Sequence, residues 1–231
     1  MPELDSQNTI SNKLISKASL KLNVYQNTLY NFNIIKEILK ELSHELKAKA
    51  SGVNKNIIIE YREMSNFEVE IKFGSDVLVF MMHTNVFEFP RDHEIHKTSY
   101  VKEDKERSYC GVIFVYNFLA DSFKYNRYND LGYLVARIFI NKEQHFFVEG
   151  KKQMGLLFNN FINKVIDRES IYKIIETTML YSIDFDLLTP FYDDVKQVTV
   201  EEFTETNRNM AITTGKRLGF RFQVDKDDIK S

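Results

Sequence analysis

Tryptophan is absent from this 231-residue chain, cysteine occurs once, proline three times and glycine eight times. The single cysteine, Cys110, excludes an intrachain disulfide framework and any CxxC-type zinc or redox motif, and it suits a reducing compartment. No apolar run approaches the roughly 18–20 residues that a membrane span requires. The opening "MPELDSQNTISNK" lacks the basic stretch and apolar run of a secretory signal. Neither sign of charge dominates: 31 basic residues face 33 acidic ones, so the chain carries no bulk electrostatic footprint for a polyanion. From these absences we expect a cytoplasmic protein with no membrane partner and no nucleic-acid partner.

What is abundant is aromatic. Phenylalanine (19) and tyrosine (12) make up 13% of the chain, a surplus that suits half-buried pleated surfaces. Residues 1–22 are polar, rich in Ser, Asn and Lys, and are expected to form a loose or weakly helical arm ahead of a single α+β domain spanning 23–231. From Val24 the pattern tightens. Leu29, Phe32, Ile35, Ile38, Leu39, Leu42 and Leu46 recur at three- and four-residue spacing, which predicts an amphipathic helix ending at Gly52.

Period two follows. "NIIIEYREM" and "FEVEIKF" read as a hairpin, "VLVFMMH" as a central strand, and "TNVFEF" as its continuation until Pro90 removes a ladder donor. "SYCGVIFVYNF", "GYLVARIFI" and "HFFVEG" are further strands, separated by a polar loop over 90–107 and a Tyr- and Asn-rich connection over 120–130. Helical spacing returns at Met154, Leu157, Phe158, Phe161, Ile162 and Val165, and again at Ile171, Ile174, Ile175, Thr178, Leu180, Tyr181 and Ile183, with cap residues in "DRES" between. From about residue 186 the tail is irregular, with "GKRLGFRFQV" a last strand or extended segment. Runs of strands followed by runs of helices predict α+β: an N-terminal helix, a mostly antiparallel sheet of about five to seven strands, and two C-terminal helices packed on it.

Three constellations carry candidate chemistry. "HTNVFEFPRDHEIHK" gathers His83, His93 and His96 beside Asp92 and Glu94, a conceivable metal set, although the HExxH spacing of zincins is absent and the loose spacing favours a solvated polar loop. "EVEIK" supplies Glu70 and Lys72, which with Glu60 on the partner strand and Glu41 or Glu45 on the helix would outline a PD-(D/E)xK-like nuclease core, two carboxylates for a divalent metal and a lysine for the attacking water. An alternating solvent face produces the same triplet. Third, "FKYNRYND" offers Tyr125, Arg127 and Tyr128, residue types that anchor protein interfaces. Cys110, inside an apolar strand, reads as a buried thiol.

The reading that follows is a non-enzymatic interaction module without cofactor, binding another protein or a copy of itself through an aromatic-rich sheet face or edge. Its alternative is a metal-dependent hydrolase at one of the first two constellations.

Overall fold

A computed structural model describes residues 2–150, 161–187, 189 and 191–209. A 52-residue helix α1 (Pro2–Val53) leads into seven strands: β1 (Ile59–Ser65), β2 (Glu68–Phe73), β3 (Asp76–Met82), β4 (Phe87–Glu88), β5 (Tyr109–Leu119), β6 (Tyr133–Asn141) and β7 (Phe146–Gly150). Short helices α2 (Ser99–Glu103) and α3 (Ala120–Lys124) flank β5, and α4 (Arg168–Ile183), α5 (Tyr192–Val195) and α6 (Val200–Asn209) follow the sheet. The predicted α+β class and antiparallel sheet are thus present. Among the described residues no helix is long and apolar enough to cross a membrane.

The polar stretch expected to be a loose arm is the first part of α1. Nothing in the chain breaks it: Pro2 stands at the first helical position, where its missing N–H has no partner to lose, and no glycine occurs before Gly52. The buried stripe starts at Leu20 and runs through Val24, Phe32, Ile35, Ile38 and Leu39.

The sheet is an antiparallel meander in the order β1-β2-β3-β5-β6-β7, with β4 pairing the start of β5 beyond the end of β3. Gly74, at φ +62°, makes the tight β2–β3 turn that a side chain would strain. Register sorts the side chains cleanly. One face carries Val69, Ile71, Leu78, Phe80, Met82, Ile113, Val115, Ile138, Ile140, Phe146 and Val148, and α1 and α4 cover it with Phe32, Ile35, Leu39, Ile171, Ile174 and Ile175. Asn27 fastens α1 to the β6–β7 turn by donating to the carbonyls of Asn141 (3.1 Å) and Lys142 (2.8 Å), and Arg168 joins α4 to α1 through Glu37 and Glu41.

Of the two helices expected after the sheet, α4 is the second, capped by Asp167, whose side chain accepts from the Ser170 amide. Its last turn differs from expectation, because Leu180 and Ile183 are more than half exposed. The first falls largely on 151–160, outside the described residues, with Met154, Leu157 and Phe158; at its far end, residues 161–163 form a turn and Val165 bridges to His145. The stretch "GKRLGFRFQV" also lies outside them.

Candidate interaction surface

Among the described residues no long helix lies on the opposite face of the sheet. Reading across the register, it carries Glu60 and Arg62 on β1, Glu68, Glu70 and Lys72 on β2, Val77, Val79 and Met81 on β3, Val112, Phe114, Tyr116 and Phe118 on β5, Arg137 and Phe139 on β6, and Phe147 and Glu149 on β7. Charges therefore occupy one flank and aromatics the centre.

Half of this face is roofed by the connection between β4 and β5. The residues expected to form a purely polar loop contain Ile95, Tyr100 and Val101, which are buried with Cys110, Val112, Phe139 and Phe161. Two 3₁₀ turns (Glu94–Lys97 and Lys105–Ser108) and α2 hold them down, capped by His93, Thr98 and Asp104 side chains. Buried Asn141 donates to the Tyr100 hydroxyl at 2.9 Å, Tyr100 in turn donates to Glu143 at 2.7 Å, and Arg107 bonds Glu143 at 3.1 Å. This network pins the roof to the β6–β7 turn.

The other half carries no such roof among the described residues. Phe114, Tyr116 and Phe118 stand half-buried at alternate positions of β5, with ring centroids 5.9 and 6.4 Å apart, and Phe123 of α3 closes the row at 5.3 Å from Phe118. Between this row and the roof runs a groove of about 330 Å³, lined by Phe87, Phe89, Pro90, Phe114 and Phe139 with charged groups at Glu88, Arg137 and Glu149. Arg137 and Glu149 form an ion pair across β6 and β7. Apolar walls with a few convergent charges are how sites for side chains and small ligands are built.

The structure distributes the sequence-identified residues as follows. His93 lies on the groove wall, its ring 4.6 Å from that of Phe89 and its Nδ1 accepting from the Ile95 amide. His83 packs edge-on against Phe87 and accepts from the Asn85 amide, while the His96 ring bonds the Phe89 carbonyl at 3.1 Å. Each histidine thus serves its own turn, and no group of three or more His, Cys, Asp or Glu among the described residues is placed to hold a metal ion. Glu60, Glu70 and Lys72 do share one face, with Glu60 opposite Lys72 in the ladder, but Arg62 stands between the carboxylates at 2.7 Å from Glu60 and 3.4 Å from Glu70. Glu41 belongs to α1, across the sheet, and is bound by Arg168. Arg127 is buried over the α3 turn, near Asp121 and Asp130, and its ring partner is Tyr125. Tyr128, by contrast, is 89% exposed. The Cys110 thiol is wholly buried and burial pushes its pKa well up.

No known family, curated protein or solved structure matches this chain. The surface must be read from its own chemistry.

Its charged flank yields a pH prediction. The hydrogen bond from Arg62 holds Glu60 below the usual carboxylate range, whereas desolvation raises Glu70 above it despite the same arginine. A carboxyl whose folded pKa lies above its unfolded one binds its proton more tightly when folded. It therefore favours the native state below the unfolded pKa, and that advantage disappears as pH rises through the folded value. Glu70→Gln removes the titration, so the stability difference between variant and wild type is expected to move toward the variant between about pH 4 and about pH 7 in urea unfolding. A flat difference would mean that Arg62 cancels desolvation, and one that moves the other way that Arg62 outweighs it.

Proposed function

We propose that this chain is a non-enzymatic interaction module whose outer sheet face receives another protein or a second copy. The observation that carries the reading is the half-exposed row Phe114, Tyr116 and Phe118 running into the groove beside Phe89 and Phe139. Aromatic rings offer large contact area at low entropic cost, and the half-exposed Arg137–Glu149 ion pair lining the groove gives orientation to whatever enters. The exposed ring of Tyr128, on the connection between β5 and β6, offers the same side-chain chemistry.

The test is a paired alanine substitution, Phe114→Ala with Tyr116→Ala, in the full chain. Both rings are half-exposed, so the fold is expected to survive, with unchanged far-UV dichroism and a modest loss of melting temperature. Proteins retained by the immobilised wild type, or its own self-association measured by sedimentation, should weaken by about 30-fold or more, the effect of losing an interface anchor worth about 2 kcal/mol. Identical retention and identical sedimentation by wild type and variant would rule the face out as the binding surface.

A further inference from the structure

Two other segments of the chain stand apart from the core. Every side chain from Ile10 to Ser19 is exposed, in the part of α1 that runs ahead of Leu20, and Ile10, Leu14 and Ile15 are each more than 60% exposed. Ile10, Leu14 and Lys17 continue at helical spacing the stripe that Leu20 and Val24 bury further on. Between Asn8 and Lys36 there is no acidic residue, while Lys13, Lys17 and Lys21 recur every fourth position. Lys17 is anchored to the Tyr109 hydroxyl; Lys13 and Lys21 form no ion pair among the described residues.

At the C-terminal side, every described side chain from Tyr192 to Thr204 is exposed, including Tyr192, Val195, Val198, Val200 and Phe203. This stretch holds Asp193, Asp194, Glu201 and Glu202 against a single lysine, Lys196, which pairs with Asp193. Glu202 caps α6 through Thr199, leaving Asp194 and Glu201 facing solvent. An exposed basic apolar helix and an exposed acidic apolar stretch are thus built into one chain.

They join the core at opposite ends of β5. The arm leaves the core beside Tyr109, the first residue of β5, whereas the C-terminal stretch follows Phe185, whose ring is 5.4 Å from that of Tyr133, paired with Asn117 near the last residue of β5. That strand is 11 residues long, about 33–37 Å.

We propose that the basic arm of α1 in one copy docks on the acidic α5–α6 stretch of a second copy, apolar stripe against apolar side chains, with Lys13 and Lys21 facing Asp194 and Glu201. Opposite charge selects arm-to-tail contact over arm-to-arm, which would set lysines against lysines. The contact uses no residue of the outer sheet face, so it stands or falls separately from the function proposed above.

Sedimentation equilibrium of the full chain across micromolar concentrations tests it. Wild type is expected to self-associate, more weakly as salt is raised. Lys13→Glu with Lys21→Glu, or Asp194→Lys with Glu201→Lys, should each weaken association by on the order of tenfold or more, and the four-substitution chain should recover it, because the charges are then exchanged rather than lost. All four positions are exposed, and unchanged melting temperatures certify the fold. A wild type that stays monomeric, an association indifferent to both reversals, or four substitutions that fail to restore it would each overturn the proposal. So would arm-dependent binding to anionic vesicles by a protein that remains monomeric.

Discussion

Truncation of Phe80 to alanine is expected to cost about 3–5 kcal/mol, a large fraction of the stability of an ordinary domain. Phe80 is wholly buried near the middle of β3, between Val69 on β2 and Val115 on β5, on the face closed by α1 and α4. Its ring therefore has no route to solvent through which the site could relax, and the residual cavity adds to the lost transfer free energy. For a chain of this size the corresponding fall in melting temperature is about 6–20 °C. Phe80→Leu keeps most of the volume and should lose less than about half as much. Urea unfolding of the two variants decides the matter: an alanine variant within about 1 kcal/mol of wild type would show that the two-helix layer collapses onto the sheet without a cavity.

The second large effect is at Gly111, where β5 passes under α1. A Cβ at that position would come within 2.1 Å of Thr28 Oγ1, 2.8 Å of its Cβ and 2.9 Å of its Cγ2. Thr28 cannot swing aside freely, since it is buried, β-branched and bonded through its hydroxyl to the Val24 carbonyl at 2.7 Å. Gly111→Ala must therefore push the helix off the sheet, at about 1–3 kcal/mol, with Gly111→Val worse. Specificity comes from a double-mutant cycle: in a Thr28→Gly background, where all three obstructing atoms are gone, Gly111→Ala should cost less by about 1 kcal/mol or more. Equal costs in both backgrounds would place the strain somewhere other than the helix–strand crossing.

The architecture was legible wherever a period ran long enough to count. Alternation in "FEVEIKF" and the apolar density of "VLVFMMH" and "SYCGVIFVYNF" found their strands, and the three- and four-residue spacing after Val24 found the docked part of α1. The stretch ahead of Leu20 gave no such signal: its described side chains, from Asn8 to Ser19, are exposed, and only the absence of breakers continues the helix through it. The 90–107 connection looked polar by composition, yet Ile95, Tyr100 and Val101 turn inward, spaced by turns that no simple period describes. Glu60, Glu70 and Lys72 could be placed on one face from alternation alone, but Arg62 between the carboxylates became visible only with the register. The same holds for the groove. Phe114, Tyr116 and Phe118 are a period-two row anyone can count, whereas pairing Arg137 with Glu149 needs the alignment of β6 with β7.

The position of α1 ahead of every strand it covers has a consequence for how the chain is made. A ribosome completes the stripe of Phe32, Ile35, Ile38 and Leu39 before any of the sheet that will bury it exists, and β6 is finished only about 100 residues later. At 5–20 residues per second this leaves the helix without its sheet for about 5–20 s. The hairpins β1–β2 and β2–β3 close locally and early, but docking of Asn27 on the β6–β7 turn joins positions more than 110 residues apart in sequence. The nascent helix thus waits with its apolar stripe uncovered, and its docking is a long-range contact with a large cost in loop-closure entropy.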